Sequence, residues 1–534
     1  MHAARVLPRW WWAARGGVCA RVCAVRRAAP GRVRATAGIP RALTTAAPET
    51  IYALSSGRPP CGVSVVRVSG PRVPDVYAAL CPGAAPLVPR RATLRTLRDP
   101  RTGEPLDDAL LLFFPARHSY TGEAVLELHV HGSPAVVRDT LLALADVDAQ
   151  AVRPAAPGEF TRRAFEQGRM DLTSCEALDA LLRAETSTQR RLALQTGGGR
   201  QAQVYAALRR ELLEAMVRVE AMLDFSDEDG IDDALWAPVC DAVARLRARL
   251  RRELPGGRAP YLDAVLHGTR LVLYGRPNAG KSLLLNRLVR REAAIVSAEP
   301  GTTRDVVQVA LELHGFRVLL TDTAGLRDAG GAIEQQGIAR AQSTCPTYAA
   351  HIREADLAVL VCDAAEACRV LGGVPAAGAT AVSARGARVL GMQDAARDVF
   401  LFVNKMDAAR GARAAPAPAA DDALAARVWH GSALHDEGVD ALLADLGAEL
   451  CERHAADLSE PPLVTEARHA HLLRQVLATL DAWADTFGAA HDPDVTLAAE
   501  ELRHAAYLVG QITGESMAAD EVLGAIFARF CIGK

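Results

Sequence analysis

Gly275-Arg-Pro-Asn-Ala-Gly-Lys281-Ser282 is the stretch of this 534-residue chain that decides its fold. It follows an apolar run at residues 271–274 and precedes a segment with helical spacing, which is the context of a phosphate-binding loop. In such a loop the backbone amides and the start of the helix bind phosphates. Lys281 reaches the outer phosphates, and Ser282 offers its hydroxyl to magnesium. The stretch predicts an α/β nucleotide-binding domain with a mostly parallel sheet.

Further nucleotide motifs follow other predicted strands of this region, and parallel strands bring such ends to one edge of a sheet. Asp322-Thr-Ala-Gly325 supplies a carboxylate for the magnesium shell and a glycine amide for the γ-phosphate. Asn404-Lys-Met-Asp407 supplies an aspartate that pairs with the N1–H and exocyclic amine of guanine, and adenine lacks that edge. Ser432-Ala433 follow the next strand, where backbone amides support the base. The predicted strands are at residues 271–274, 318–321, 357–362, 400–403 and 426–429. Together these motifs predict a GTPase.

The lysines support this interpretation. Only three of the 61 basic residues are lysines: Lys281, Lys405 and Lys534. Lysine carries a compact ammonium, whereas arginine carries a broad planar fork, so a lysine kept in an arginine-rich chain marks a place where the fork does not fit. Two of the three lie in the nucleotide motifs, and the third is the last residue.

The residue after Gly325 is Leu326, where many GTPases have a glutamine that orients the attacking water. Leucine cannot do this, so another polar side chain must, and Glu334 is our candidate. No arginine can be assigned as a charge-stabilising finger from the sequence. A degenerate nucleotide site that no longer hydrolyses GTP is the alternative.

Residues 1–48 contain nine arginines and no acidic residue, which predicts an organelle-targeting presequence; a disordered basic tail is the alternative. Without this segment 52 basic side chains face 63 acidic ones, a net charge of −11. That balance argues against a broad basic surface for nucleic acid. No later stretch is apolar enough to span a membrane, so we expect a soluble protein. The eleven cysteines form no CxxC pair, which indicates neither a zinc site nor a disulfide framework and favours a reducing compartment.

Outside the nucleotide region the chain divides into a strand-rich and a helical part. Residues 63–68, 110–114 and 125–130 predict strands. Thr173-Ser-Cys-Glu176 predicts a capping box that starts a helical region, which runs to about residue 253 with an acidic loop at 224–233. Helical spacing returns after residue 451 and continues to 530. The nucleotide domain is therefore predicted to be inserted into a helical domain.

The chain resembles the MnmE/TrmE family of tRNA-modifying GTPases, and the presequence indicates its mitochondrial branch. The resemblance starts from Gly301-Thr-Thr-Arg-Asp305, Asp322-Thr-Ala-Gly-Leu-Arg327 and the terminal Phe530-Cys-Ile-Gly-Lys534. It extends through four earlier stretches: Glu49-Thr-Ile-Tyr-Ala-Leu54, Gly62-Val-Ser-Val-Val-Arg-Val-Ser-Gly70, Tyr120-Thr-Gly-Glu-Ala-Val-Leu-Glu-Leu128 and Pro157-Gly-Glu-Phe-Thr-Arg-Arg-Ala-Phe165. One departure is the additional segment at residues 343–351.

The resemblance implies a fold and a domain order. The fold is multidomain α/β: a P-loop GTPase domain inserted into an α-helical domain, preceded by an α+β domain that resembles folate-binding enzymes. The implied order is presequence 1–48, tetrahydrofolate-binding and dimerisation domain 49–166, helical domain 167–266 and 454–534, and GTPase domain 267–453 between its two parts.

The resemblance also implies a potassium-assisted hydrolysis. Asn278 helps to bind the ion, and Ser297, Glu299 and Thr302 complete its shell, partly through backbone oxygens. Ser282 and Thr303 are the implied magnesium ligands, and Glu334 matches the family's water-orienting glutamate. The implied catalytic residues are Glu334, Asn278 and Lys281. The expected GTP contacts are Asn278, Ala279, Gly280, Lys281, Ser282, Ser297, Gly301, Thr302, Thr303, Asp322, Thr323, Ala324, Gly325, Asn404, Lys405, Asp407, Ser432 and Ala433.

A second site is implied in the amino-terminal domain, which would bind 5-formyl- or 5,10-methylene-tetrahydrofolate. Arg67, Glu127, Arg169 and Lys534 match its contact positions. Glu127, His129 and His131 share one face of a predicted strand, so a metal site there is a less favoured alternative.

The implied function is modification of carbon 5 of the wobble uridine in mitochondrial tRNA, giving a taurinomethyl-type uridine in the matrix. The implied partners are a second copy of the chain and a flavin-dependent protein that carries the FAD. Two alternatives remain open: a GTP-dependent assembly factor for the mitochondrial ribosome, and a folate-binding regulator with a vestigial GTPase domain.

Overall fold

The structure is a computed structural model that describes residues 49–225, 233–254, 264–291, 308–322, 355–377, 381–383, 399–409, 414–415, 423–425, 427–453, 462–488, 493–516 and 520–533. The predicted presequence, the additional segment at 343–351 and most of the acidic loop lie outside the described residues. Within the described ranges, no helix combines the length and apolarity needed to cross a membrane.

The amino-terminal region forms a six-stranded sheet in the order β3-β4-β5-β2-β1-β6. Neighbouring strands are antiparallel, except that β1 and β6 are parallel. The strands are β1 Thr50–Leu54, β2 Val63–Ser69, β3 Thr93–Arg98, β4 Pro105–Phe114, β5 Val125–His131 and β6 Val152–Pro154. The three strands predicted from the sequence are present here, each extended by at least one residue.

This region also contains helices that the sequence prediction missed: α1 Val73–Leu80, α2 Pro134–Ala145 and α3 Glu159–Glu166. α1 buries Val73, Val76 and Leu80, whose spacing is that of a helix with one apolar face. The signal was therefore present in the sequence, but α1 is so short that it reads as a loop between strands.

Four helices, two on either side of the second sheet, share one hydrophobic core, which joins Leu212 and Trp236 before the sheet to Trp483 and Leu502 after it. The chain therefore leaves this helical core, forms the second sheet and returns to the core. The helices before it are α4 Leu172–Arg183, α5 Ser187–Thr196, α6 Arg200–Phe225 and α7 Asp233–Glu253. Those after it are α11 Ala467–Phe487, α12 Val495–Thr513 and α13 Asp520–Phe527.

The predicted capping box at residues 173–176 is wrong. The carboxylate of Asp171 caps α4 instead, accepting a hydrogen bond from the Ser174 amide at 2.9 Å. Glu176 is buried and binds Arg468 and His469 of α11, far along the chain. The capping-box pattern uses only neighbouring residues, whereas the Glu176 side chain binds residues that are distant in the chain and does not cap the helix. A capping box does start α5, between Thr186 and Gln189.

The second sheet has six strands in the order β14-β12-β10-β7-β9-β8 and is parallel except for the β8–β9 hairpin. Its strands are β7 Thr269–Tyr274, β8 Gln308–Leu313, β9 Phe316–Asp322, β10 Leu357–Asp363, β12 Val399–Asn404 and β14 Arg427–His430. Its helices are α8 Lys281–Arg291, α9 Ala364–Leu371 and α10 Val439–Arg453. Two short strands, β11 Ala381–Ser383 and β13 Ala423–Ala425, pair separately. All five predicted strands of this region are observed, with small shifts at their ends.

Candidate functional site

The loop between β7 and α8 has the geometry of a phosphate cradle. Lys281, the first residue of α8, is only 6% exposed, and its Nζ donates hydrogen bonds of 2.9 Å to the carbonyls of Gly275 and Arg276. Gly275 has a φ of 137°, and a Cβ there would lie 2.1 Å from the Val361 carbonyl of β10. The loop therefore crosses the end of the central strand so closely that only glycine fits. Ser282 follows in the first turn of α8 and is exposed.

Asn404 joins three of the sequence motifs. Its Nδ2 donates to the Ala279 carbonyl of the loop at 2.8 Å, and its Oδ1 accepts from the Ala433 amide at 2.9 Å. Asn404 is 2% exposed, and both partners are buried. A Cβ on Gly280 would lie 2.1 Å from Nδ2, so the amide occupies the space that a larger residue at 280 would need. The loop, the end of β12 and the segment after β14 are thus fixed together by one side chain.

The predicted guanine-recognition residues lie on the same edge. Lys405 adopts a φ of 61°, and its Nζ lies 3.6 Å from Asp363 Oδ2 at the end of β10. Asp407 follows in a short 3-10 turn, with its Oδ2 3.7 Å from His435 Nε2. The structure therefore places Lys405, Asp407, Ser432 and Ala433 around the carboxyl ends of β10, β12 and β14.

One ion pair of this edge was missed by the sequence reasoning. Arg276 Nε of the loop lies 2.8 Å from Oε1 of Glu366, a buried residue of α9. Burial raises the pKa of Glu366, and the positive charge of Arg276 opposes that rise. The signal would have been a basic residue within the loop and an acid just after β10, but only the fold shows that they meet.

Several predicted site residues lie outside the described residues: Ser297, Glu299, Gly301, Thr302, Thr303, Thr323, Ala324, Gly325, Glu334 and Lys534. Asp322 is described as the last residue of β9. Asn278 has a φ of 63° and is exposed in the loop. The potassium and magnesium assignments therefore stay predictions, with Asn278 and Ser282 as their described members.

The amino-terminal sheet brings together two of the predicted folate residues. Arg67 of β2 faces Glu127 of β5 across the sheet, and its Nε and Nη2 donate to Glu127 Oε1 at 3.1 and 3.0 Å. The guanidinium also lies 5.3 Å from the Tyr120 ring centre and 5.8 Å from that of Phe160. These two aromatic rings were not predicted, because rings so far apart in sequence carry no local sign that they share a site.

The Glu127 carboxylate is held in its charged form. Burial alone would raise its pKa, but the neighbouring His129 and the charge and hydrogen bonds of Arg67 lower it below its usual value. His129 Nε2 lies 3.5 Å from Glu127 Oε2. His131 turns to Asp107 instead, at 2.7 Å, and no cluster of metal-ligating side chains is present among the described residues. The geometry provides a partly buried carboxylate that can accept two N–H groups of a ligand.

Arg169 lies beside the same loop as Tyr120. Its Nη1 donates to the Arg117 carbonyl at 3.3 Å, and a Cβ on Gly122 would lie 3.4 Å from its Cγ. The loop at residues 117–122 thus connects Arg169 to the ring that packs on Arg67.

The end of the chain docks on the amino-terminal sheet. Ser55 Oγ, just after β1, donates to the Gly533 carbonyl at 2.8 Å, and Ile532 forms an antiparallel bridge with Pro157. Gly533 has a φ of 101°, and a Cβ there would lie 2.1 Å from the Leu54 carbonyl. The residue before Lys534 therefore lies against the end of β1.

Comparisons with known proteins identify the family of the chain. A family model described as the GTP-binding protein TrmE N-terminus matches residues 50–169, and one described as the MnmE helical domain matches residues 172–531. The chain is 39% identical over 491 residues to the 5-taurinomethyluridine-tRNA synthase subunit GTPB3, mitochondrial, of Homo sapiens, covering 91% of this chain and 93% of that protein. It is 40% identical over 490 residues to the tRNA modification GTPase MnmE of Parvibaculum lavamentivorans, covering 91% of this chain and 100% of that protein.

One solved structure that matches is the G domain of the T. maritima FeoB iron transporter. The match covers 35% of this chain and 99% of that chain, at 19% sequence identity. Its TM-score of 0.20 is too low to say anything about the fold or function of this chain. The family models and the near full-length relatives are decisive. The chain belongs to the MnmE/TrmE family of tRNA modification GTPases.

Proposed function

We propose that this chain is the GTP-hydrolysing component of a complex that modifies carbon 5 of the wobble uridine in mitochondrial tRNA. The product would be a taurinomethyl-type uridine, formed with a flavin-dependent partner that carries the FAD. Relatives named as mitochondrial 5-taurinomethyluridine-tRNA synthase subunits support this proposal. Nucleotide binding is supported above all by the two hydrogen bonds of the Asn404 side chain, because they hold the phosphate loop and the guanine-recognition segments in one arrangement.

Three described residues would receive GTP. The Lys281 ammonium already lies within the loop, where two backbone carbonyls hold it, so phosphate oxygens can take their place as its partners. Ser282 stands in the first turn of α8, where a hydroxyl can meet the magnesium that accompanies the phosphates. Asp407 would then pair with the guanine edge while Asn404 keeps the loop in register.

Hydrolysis would depend on residues around the γ-phosphate. We assign Glu334 to orient the water, Thr303 and Ser282 to hold magnesium, and Asn278 with Ser297, Glu299 and Thr302 to hold potassium. Bound potassium would supply the positive charge that an arginine finger supplies in other GTPases. Asn278 fits this role because its left-handed backbone presents an exposed amide side chain within the phosphate loop.

The amino-terminal site would hold a tetrahydrofolate, either 5-formyl or 5,10-methylene, which supplies the one-carbon unit when bound. Glu127 would accept the N–H and amine groups of the pterin, and Arg67 would keep that carboxylate charged and aligned. Arg169 and Lys534 would contact the remainder of the cofactor. We further propose that the chain is a homodimer in the mitochondrial matrix that dimerises through its amino-terminal domains.

Nucleoside analysis of mitochondrial tRNA tests this function directly. Cells depleted of the protein should lose the taurinomethyl-type wobble uridine, and re-expression of the unsubstituted chain should restore it. Glu334→Ala should bind GTP but fail to restore the modification, which separates hydrolysis from a purely folate-binding role. Intact wobble uridine after depletion would refute the proposal and favour a ribosome assembly factor.

A further inference from the structure

The hairpin of β8 and β9 connects the two motif segments that flank the γ-phosphate in our proposal. β8 begins at Gln308, shortly after residues 301–305, and β9 ends at Asp322, the first residue of its motif. β9 also pairs in parallel with β7, which leads into the phosphate loop. A displacement of either motif is therefore transmitted to the hairpin through its backbone.

A two-residue turn closes this hairpin and is held from both sides. His314 has a φ of 49° and Gly315 a φ of 90°, the left-handed conformations that tight antiparallel turns require. On one side the His314 imidazole packs on Gly447 of α10, where a Cβ would lie 2.4 Å from Nδ1. On the other side the Thr188 amide of α5 donates to the Gly315 carbonyl at 3.3 Å. The turn is therefore in contact with both helices.

The first turn of α5 makes polar contacts with the same hairpin. The Ser187 amide donates to Glu312 Oε1 of β8 at 3.0 Å, and Arg317 Nε of β9 lies 3.1 Å from Glu185 Oε2. A Cβ on Gly315 would lie 2.8 Å from Ser187 Oγ, so the turn packs closely against this hydroxyl. These contacts fix the register between α5 and the hairpin.

The body of α5 also packs against the second sheet. Leu192 is buried in the core of that sheet, and Gln189 Nε2 donates to the Val265 carbonyl at 3.0 Å. Thr186 and Gln189 form the capping box that keeps the helix start rigid. α5 therefore packs with the second sheet, although it precedes the sheet in the chain.

The other end of α5 contacts the helical body. The Gly199 amide, just beyond the helix, donates to Ser174 Oγ of α4 at 3.2 Å. The opposite face of α4 shares a small core with Phe527 and Phe530, which lead to Gly533 at the end of β1. Packed elements thus run without a break from the hairpin to the amino-terminal sheet.

We propose that the hairpin turn and the start of α5 form a joint that passes the nucleotide-dependent position of the hairpin to α4 and the carboxyl-terminal segment. The joint consists of Glu185, Ser187, Thr188, Glu312, Gly315 and Arg317. This inference rests on the proposed function, since it assigns the route by which GTP hydrolysis acts on the remote modification site. Its residues are positioning residues that act through the hairpin.

Charge reversal of the ion pair in the joint tests this route. The full-length chain, its flavin-dependent partner and a mitochondrial tRNA transcript are used to measure GTP hydrolysis and wobble-uridine modification together. Glu185→Arg and Arg317→Glu should each keep hydrolysis within about twofold but slow modification about fivefold or more, a typical size for coupling between sites. The double variant, with the pair reversed, should regain most of the modification rate.

The exposed pair of Glu220 and Arg503, which are 2.8 Å apart between α6 and α12, is the matched control. Its reversed double variant should leave both activities unchanged. Hydrogen exchange supplies a readout that does not require modification. The amides of α4 should exchange at different rates with GDP and with a non-hydrolysable GTP analogue, and the single variants of Glu185 and Arg317 should lose that difference.

The outcomes separate the joint from the proposed function. If the unsubstituted chain forms no modified uridine, the proposed function is wrong, and hydrogen exchange alone decides on the joint. The joint is overturned if α4 shows no nucleotide-dependent exchange, if hydrolysis and modification fall in proportion in the single variants, or if the reversed pair restores neither modification nor the exchange difference.

Discussion

Glu176→Gln tests the buried ion pair that ties α4 to α11. Glu176 is 8% exposed, and its Oε1 and Oε2 accept hydrogen bonds from Arg468 Nε at 2.9 Å and Arg468 Nη2 at 3.0 Å. His469 Nε2, on a fully buried ring, lies 2.7 Å from Oε2. A glutamine has the same shape but no charge, and its NH₂ group would face one of these donors.

The pKa of Glu176 sets the size of the effect. Burial raises that pKa, but the hydrogen bonds and charges of His469 and Arg468 outweigh burial and lower it from 4.5 to about 2. This difference corresponds to about 3 kcal/mol of folding free energy. Because the folded pKa is depressed, the contribution is complete above the unfolded value and is lost as the pH falls towards 2. Removing one partner of a buried pair costs about 3–5 kcal/mol, which agrees.

Urea unfolding followed by tryptophan fluorescence measures this loss. Trp236 and Trp483 stack 5.4 Å apart in the core that α11 shares, so their emission reports on this part of the chain. At pH 7, Glu176→Gln should lower the free energy of unfolding by about 3–5 kcal/mol. Glu220→Gln, which breaks an exposed pair, should lower it by less than about 1 kcal/mol.

The pH dependence gives an independent check. The stability difference between the unsubstituted chain and Glu176→Gln should shrink as the pH is lowered from 4.5 towards 2. Equal losses for Glu176→Gln and Glu220→Gln, or a difference that stays constant over this pH range, would refute the view that a charged, buried Glu176 joins α4 to α11.

Three further changes test the sites themselves. Asn404→Ala leaves the buried Ala279 carbonyl and the buried Ala433 amide without their hydrogen-bond partner, so fluorescent GDP should bind about 100-fold more weakly. Unchanged affinity for GDP would refute the role of Asn404 in holding the loop. Asn278→Ala should remove the difference between the rates of GTP hydrolysis in potassium and in sodium buffer. If the unsubstituted chain hydrolyses GTP equally fast in both buffers, the proposed role of potassium is refuted. Gly533→Ala places a methyl group 2.1 Å from the Leu54 carbonyl, so calorimetry should show weaker binding of formyl-tetrahydrofolate while GTP hydrolysis is unchanged. Loss of both activities would indicate misfolding instead.

The second sheet was predictable because its strands carry their information locally. The run at residues 357–363 is apolar almost throughout since β10 is buried on both faces in the middle of a parallel sheet. The nucleotide motifs could be placed for the same reason, because each follows the strand that positions it. The hydrogen bonds of Asn404 to Ala279 and Ala433 required the fold, since they connect three separate strand ends.

The wrong capping box has a physical cause, which is competition from distant partners. Thr173 and Glu176 have the spacing of a capping box, but Arg468 and His469 give the Glu176 carboxylate stronger partners than a backbone amide. The sequence also could not show that Tyr120 and Phe160 lie against Arg67, because their side chains meet only when the sheet and α3 pack together. The resemblance named Arg67 and Glu127 as folate contacts, and the fold then showed that they are cross-strand neighbours.

The contacts of the carboxyl-terminal segment explain how its last residues can reach the proposed folate site, which lies in a sheet formed almost 500 residues earlier in the chain. Phe527 and Phe530 pack with Leu172 in a hydrophobic cluster, which anchors the segment, and the Gly533 carbonyl then accepts the hydrogen bond of Ser55. Apolar burial provides most of the binding free energy of such a segment, whereas the glycine provides the close approach. The proposed folate site would therefore be complete only when the end of the chain has docked, and a movement of α4 that loosened this cluster would reach that site.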